Sequence, residues 1–103
     1  MIFVETPIFT EDVRRLLSDD EHSALQWHLV AHPDAGDLIV GSGGLRKISW
    51  KAAGRGKRGG TRVIYFHVSS RSQIRMILIY QKGIKDDLTP AEKRILRGIN
   101  AEW

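Results

Sequence analysis

The chain has 103 residues, 42% of them hydrophobic, no cysteine, and a formal net charge of +4. That length is one domain's worth with a modest core, which excludes a two-domain reading, and the apolar content excludes intrinsic disorder. Without cysteine there is no disulfide, thiolate nucleophile or Cys-ligated metal site, and with neither a basic leader nor a long apolar run a cytoplasmic protein that avoids membranes is expected.

Ile2 to Val4 is a short β-prone run. Thr6-Pro7 then reads as an N-cap with proline at the first helical position, and Phe9, Val13, Leu16 and Leu17 follow at helical spacing. Ser18-Asp19-Asp20-Glu21 caps a second helix whose apolar positions are Ala24, Leu25 and Leu29, with Trp27 a further candidate; His32-Pro33 ends it. After a turn over Asp34 to Asp37 and a brief Leu38-Ile39-Val40, LRKISWK reads as a strand and AGRGKRGG as a glycine-rich basic loop. TRVIYFHV, a turn at Ser69 to Ser72, and QIRMILIYQK predict a β-hairpin. Its second arm is apolar almost throughout, as suits a strand covered on both faces. Thr89-Pro90-Ala91-Glu92 is a capping box opening a last helix, with Ile95, Leu96 and Ile99 as its apolar stripe. The expected architecture is α+β in the order β-α-α-β-β-β-α, an antiparallel sheet packed against two N-terminal helices with a short C-terminal helix.

The modest net charge conceals a polarity. Residues 1–40 carry eight acids against two bases, a net of −6, whereas residues 41–103 carry fourteen bases against four acids, a net of +10. Between residues 44 and 62 there are seven bases and no acid. A one-signed stretch of this kind is either a solvated basic face or a surface for a polyanion, where phosphate contacts release condensed counterions.

Other chemistries find less support. GSGGLRK lacks P-loop spacing and leads into a strand, so no helix N-terminus awaits a phosphate there, and GRGKRGG reads equally as a hairpin tip. His28 and His32 have helical i, i+4 spacing, but no recognised pattern of acids completes a metal site. His67 stands among apolar strand residues, either half-buried or facing the same cleft as the cations.

What remains is a basic constellation: Arg46, Lys47, Lys51, Arg55, Lys57, Arg58, Arg62 and Lys82, with Tyr80. Strand alternation sends Arg46 and Lys47 to opposite faces, and antiparallel pairing brings Arg62 near Lys82. In RNA the 2′-hydroxyl is an internal nucleophile. Arg62 suits the developing phosphorane charge, Lys57 or Lys82 the proton, and Tyr80 stacking or proton relay. No cofactor is called for.

These residues also carry a likeness. GSGGLRKI, GKRGGTRVIY and ILIYQK, in that order and preceded by HPDAGDLIVG, resemble the HigB branch of the RelE/ParE toxin superfamily over nearly the whole chain. The resemblance implies one RelE-like toxin domain over residues 1–103 and a bacterial type II toxin that cuts mRNA on the ribosome without a metal. It further implies a cognate HigA-like helix-turn-helix antitoxin, through which alone operator DNA is contacted. Carried over residue by residue, Arg62, Lys57, Lys82 and Tyr80 are the catalytic candidates and Arg46, Lys47 and Arg58 RNA-binding ones, to which the basic stretch itself adds Lys51 and Arg55 as further RNA-binding candidates. The likeness departs after the last strand, where Gly83, Ile84 and Lys85 stand in place of a functional C-terminal residue, which leaves the general base unassigned. The alternatives are a ParE-like inhibitor of DNA gyrase and a non-enzymatic RNA-binding module.

Overall fold

The computed structural model describes residues 1–50, 60–83, 85 and 87–103. Lys51, Arg55, Lys57 and Arg58 lie outside the described residues. The chain runs β1 (Ile2–Glu5), α1 (Pro7–Leu16), α2 (Asp19–Ala31), β2 (Asp37–Leu38), β3 (Arg46–Trp50), β4 (Thr61–Val68), β5 (Gln73–Gln81) and α3 (Pro90–Ala101).

The helix starts form as their caps dictate. Thr6 Oγ1 accepts from Phe9 N, and Ser18 and Thr89 close reciprocal capping boxes with Glu21 and Glu92. Two of the expected apolar stripes are narrower than the sequence suggests. Leu25 and Leu29 are buried, but Trp27, about 200° round the helix from Leu25, is 73% exposed. On α3 it is Leu96 and Asn100 that turn inward, leaving Ile95 and Ile99 61% and 44% exposed.

One five-stranded sheet joins the elements in the order β1-β5-β4-β3-β2. β3, β4 and β5 pair antiparallel as expected, and the two-residue β2 extends them antiparallel to β3. β1 departs from the expected all-antiparallel sheet by pairing parallel to β5. The helical hairpin carries the chain from β1 at one edge to β2 at the other, so β5 returns beside β1 in the same direction.

The sheet is covered on both faces, and the two cores are distinct. On one side Phe9 and Val13 of α1, Leu17, and Leu25 and Leu29 of α2 pack on Val63, Tyr65, Ile74, Met76 and Ile79. Trp50 joins them and donates from Nε1 to Glu21 O at 3.2 Å. On the other side Leu88 and Leu96 pack on Leu45, Ile64 and Ile77. The acidic N-terminal helices therefore occupy the face opposite α3.

A bulge decides which β5 side chains reach which face. Ile64 pairs with Leu78 and Tyr65 with Met76, so Ile77 is an extra residue on β5. Ile77 and Leu78 consequently both face the α3 side, and Tyr80 follows them there. Simple alternation from Ile74 and Met76 would have placed Tyr80 among the helices.

Candidate functional site

On the α3 face, the end of the sheet near Gly60 carries a row of three cross-strand neighbours. Ser49 of β3 pairs with Arg62 of β4, and Arg62 with Tyr80 of β5. Arg62 Nη1 donates to Ser49 Oγ at 2.7 Å, which fixes the guanidinium on the sheet surface. Tyr80 is half-buried against the α3 core. Lys47 lies two residues from Ser49 on the same face, about 7 Å along the strand. Lys82 follows Tyr80 just beyond the strand end, where its backbone N–H donates to Gly60 O at 3.1 Å. The sequence expectation that Arg62 and Lys82 share one end of the hairpin describes this arrangement.

Arg46 stands elsewhere. It pairs with Tyr65 on the helix-bearing face, and its guanidinium donates to the carbonyls of Gly36 and Asp34 at 2.8 and 3.2 Å, with Asp34 Oδ1 3.6 Å away. His67 joins the same cluster, with Nδ1 3.0 Å from Asp34 Oδ1. The Tyr65 hydroxyl donates to Pro33 O at 2.8 Å and accepts from Gly36 N at 2.9 Å, and burial pushes its ionisation upward. These contacts fasten the turn before β2 to the sheet. Arg46 and His67 are thereby engaged in structure, on the face away from Arg62.

Sequence reasoning missed an acid. Asp87, just before α3, lies with its carboxylate among the cations, Oδ1 2.8 Å from Lys47 Nζ. Lys47 above all, then Arg62 and Lys93, holds the Asp87 carboxyl below its ordinary value. A carboxylate so stabilised is a poor proton acceptor near neutrality and serves as a counter-ion. The signal lay in the spacing: Asp87 stands two residues before the capping threonine, so the turn into α3 brings it back across the sheet.

The face thus offers two cations held at fixed points by Ser49 and Asp87, the half-buried Tyr80 ring across from Arg62 with its hydroxyl oxygen buried, and Lys82 at the rim. Such a surface can grip a phosphodiester and stabilise charge that develops on it. Among the described residues no group of three or more His, Asp or Glu side chains is placed to hold a metal ion, and no helix is long and apolar enough to cross a membrane.

No protein-family model matches the chain. Among solved structures, it is similar to the Escherichia coli toxin RelE, a double arginine-to-alanine mutant in the free state. The TM-score is 0.58 at 16% sequence identity, over 82% of this chain and 86% of that one.

The fold is RelE-like.

At this identity the likeness is one of architecture. Within the RelE-like fold, Ser49, Arg62 and Tyr80 stand in one row across β3, β4 and β5, and Asp87 reaches the same face from the turn before α3.

Proposed function

We propose that the chain is a single-domain toxin of a type II toxin–antitoxin pair, of the HigB type, acting in the cytoplasm as a ribosome-dependent mRNA endonuclease. The observation that carries this reading is the placement of Lys47, Arg62 and Tyr80 on one face of a RelE-like sheet, with the acidic helices on the other. That segregation suits docking on RNA: the cationic face meets phosphate while the acidic face stays turned away.

In the reaction proposed, the 2′-hydroxyl attacks the adjacent phosphorus and the P–O5′ bond breaks, giving a 2′,3′-cyclic phosphate and a 5′-hydroxyl whose oxygen takes its proton from solvent water. Arg62 stabilises the charge on the phosphorane oxygens, and Tyr80 stacks on a base or relays the proton. Lys82 and Lys57 are the candidates for the proton acceptor. Lys47 grips phosphate with Lys51, Arg55 and Arg58, and neither metal nor cofactor takes part. The proposed partners are the ribosome with its mRNA and a HigA-like helix-turn-helix antitoxin that alone contacts operator DNA.

The test is induction of the wild type and Arg62→Ala, with mRNA 5′ ends mapped in the presence and absence of ribosomes. Cleavage at defined codon positions that requires ribosomes and disappears in the variant supports the reading. DNA breaks with intact mRNA would replace it with gyrase inhibition, and intact nucleic acids with unchanged growth with an RNA-binding module. Cleavage that persists in chelator, with ribosome integrity controlled, is expected.

A further inference from the structure

One exposed carboxylate is paired with Lys47 and lies within the electrostatic reach of two more cations, Arg62 and Lys93. Lys47 comes from β3, Arg62 from β4 and Lys93 from α3, and Asp87, 76% exposed at its side chain, sits among them with Lys47 Nζ at 2.8 Å. An exposed ion pair of this sort contributes little to stability, because solvent screens it and two long side chains lose freedom to hold it. The convergence of three positive groups is therefore more than fold maintenance requires.

Lys47, Asp87 and Lys93 also line a cleft of about 370 Å³, together with Ile39, Val40, Leu88 and a second acid, Asp37. Apolar walls beside a cluster of cations fit a nucleotide, the base against the hydrocarbon and the phosphate at the charges.

We infer that Lys47, Arg62 and Lys93 form a phosphate seat which the free chain fills with its own Asp87 carboxylate, and that a backbone phosphate of single-stranded RNA binds by displacing it. The inference rests on the RNA-cleaving function proposed above and deepens it: Lys93 becomes a phosphate ligand, and Asp87 an internal competitor that weakens binding to adventitious anions. A carboxylate and a phosphodiester each carry one negative charge on paired oxygens, so either can be received by the same ammonium and guanidinium groups. The adjoining base then lies against Ile39 and Leu88.

The experiment titrates inorganic phosphate into the intact wild-type chain and into Asp87→Asn, following the lysine side-chain nitrogens by NMR. The substitution is nearly isosteric and lies at the surface, so the fold is retained. Phosphate is expected to bind Asp87→Asn roughly 5- to 10-fold more tightly, with shifts at Lys47 and Lys93, and Lys93→Ala added to Asp87→Asn should abolish the gain. Glu11→Gln, which removes one charge from the exposed surface of α1, should leave phosphate affinity unchanged at physiological salt because it is screened. Equal or weaker phosphate binding by Asp87→Asn would overturn the inference, since Asp87 would then merely hold Lys47 in place. A parallel titration uses a single-stranded RNA whose 2′-hydroxyls are methylated and uncleavable. Tighter binding by Asp87→Asn supports the displacement. Phosphate binding that tightens while RNA binds neither protein would leave the anion seat standing but overturn its occupation by single-stranded RNA, whereas loss of the ribosome-dependent cleavage in the induction experiment above is what would remove the proposed function.

Discussion

The Thr6 hydroxyl donates to the Ile77 carbonyl at 2.8 Å, joining two residues 71 positions apart. Thr6 also donates from its backbone to Met76 O at 3.0 Å and accepts from Phe9 N at 3.1 Å. One buried residue thus ends β1, caps α1 and holds the β5 bulge. Because the bulge puts Tyr80 on the same face as Arg62, this threonine acts on the candidate site from the end of the edge strand β1.

Replacing Thr6 with valine keeps the shape and removes the hydroxyl, orphaning the Phe9 N–H and the Ile77 carbonyl. The expected loss is about 1–3 kcal/mol, read as a lower urea midpoint at unchanged slope. Thr6→Ser should recover most of it. If the bulge orients Tyr80 as described, Thr6→Val also lowers the proposed RNA cleavage under conditions where the variant remains folded; cleavage equal to wild type would show that the row on the sheet tolerates a relaxed bulge.

Tyr65 and Gly36 give a second stability test. Tyr65→Phe leaves the Gly36 N–H and the Pro33 carbonyl without their hydroxyl partner, at a cost of about 1–3 kcal/mol. Gly36→Ala is expected to cost at least as much, because its new Cβ would stand 2.9 Å from Tyr65 Cε1 and 3.0 Å from the Lys47 backbone oxygen. Thermal unfolding checks both, and a Gly36→Ala protein as stable as wild type would mean that the turn moves freely from the sheet.

The elements of this fold were legible because their signals are local. Thr6-Pro7, Ser18 to Glu21 and Thr89 to Glu92 place all three helix starts, since a cap needs only its own first turn. Alternation correctly separated Arg46 from Lys47. It could not reveal the bulge at Ile77, because in a run as apolar as Met76 to Ile79 every residue suits either covered face. Nor does the acid-free stretch between residues 44 and 62 remain acid-free in space. Asp87 enters it from 40 positions beyond Lys47, and only the turn into α3 brings the two together.

Arg46 and Lys47 are neighbours in sequence and differ in what they hold. Arg46→Ala should cost about 1–2 kcal/mol through the lost hydrogen bonds to Gly36 and Asp34, while leaving affinity for single-stranded RNA unchanged. Lys47→Ala should change stability by less than about 0.5 kcal/mol, because its ion pair with Asp87 is exposed. Its RNA affinity should fall, with the slope of log K against log salt shallower by about 0.7, one phosphate contact on a single strand. Urea unfolding and binding at several salt concentrations separate the two. The reverse pattern would place the RNA on the helix-bearing face.

The Asp87 carboxyl supplies the pH dependence. Lys47 foremost, then Arg62 and Lys93, lower its folded-state pKa, so the pair with Lys47 is complete above the ordinary carboxylate value and is lost as pH falls through the depressed one. Carboxyl ¹³C titration should give a midpoint below the usual range in the wild type, moved upward in Lys47→Ala and less so in Lys93→Ala. Because Asp87 is solvent-exposed, global stability should hardly follow this titration, and the carbon shift itself is the measurement. A midpoint at the ordinary value that ignores Lys47→Ala would mean the carboxylate lies free in solution, and the cationic face would then stand open in the absence of RNA.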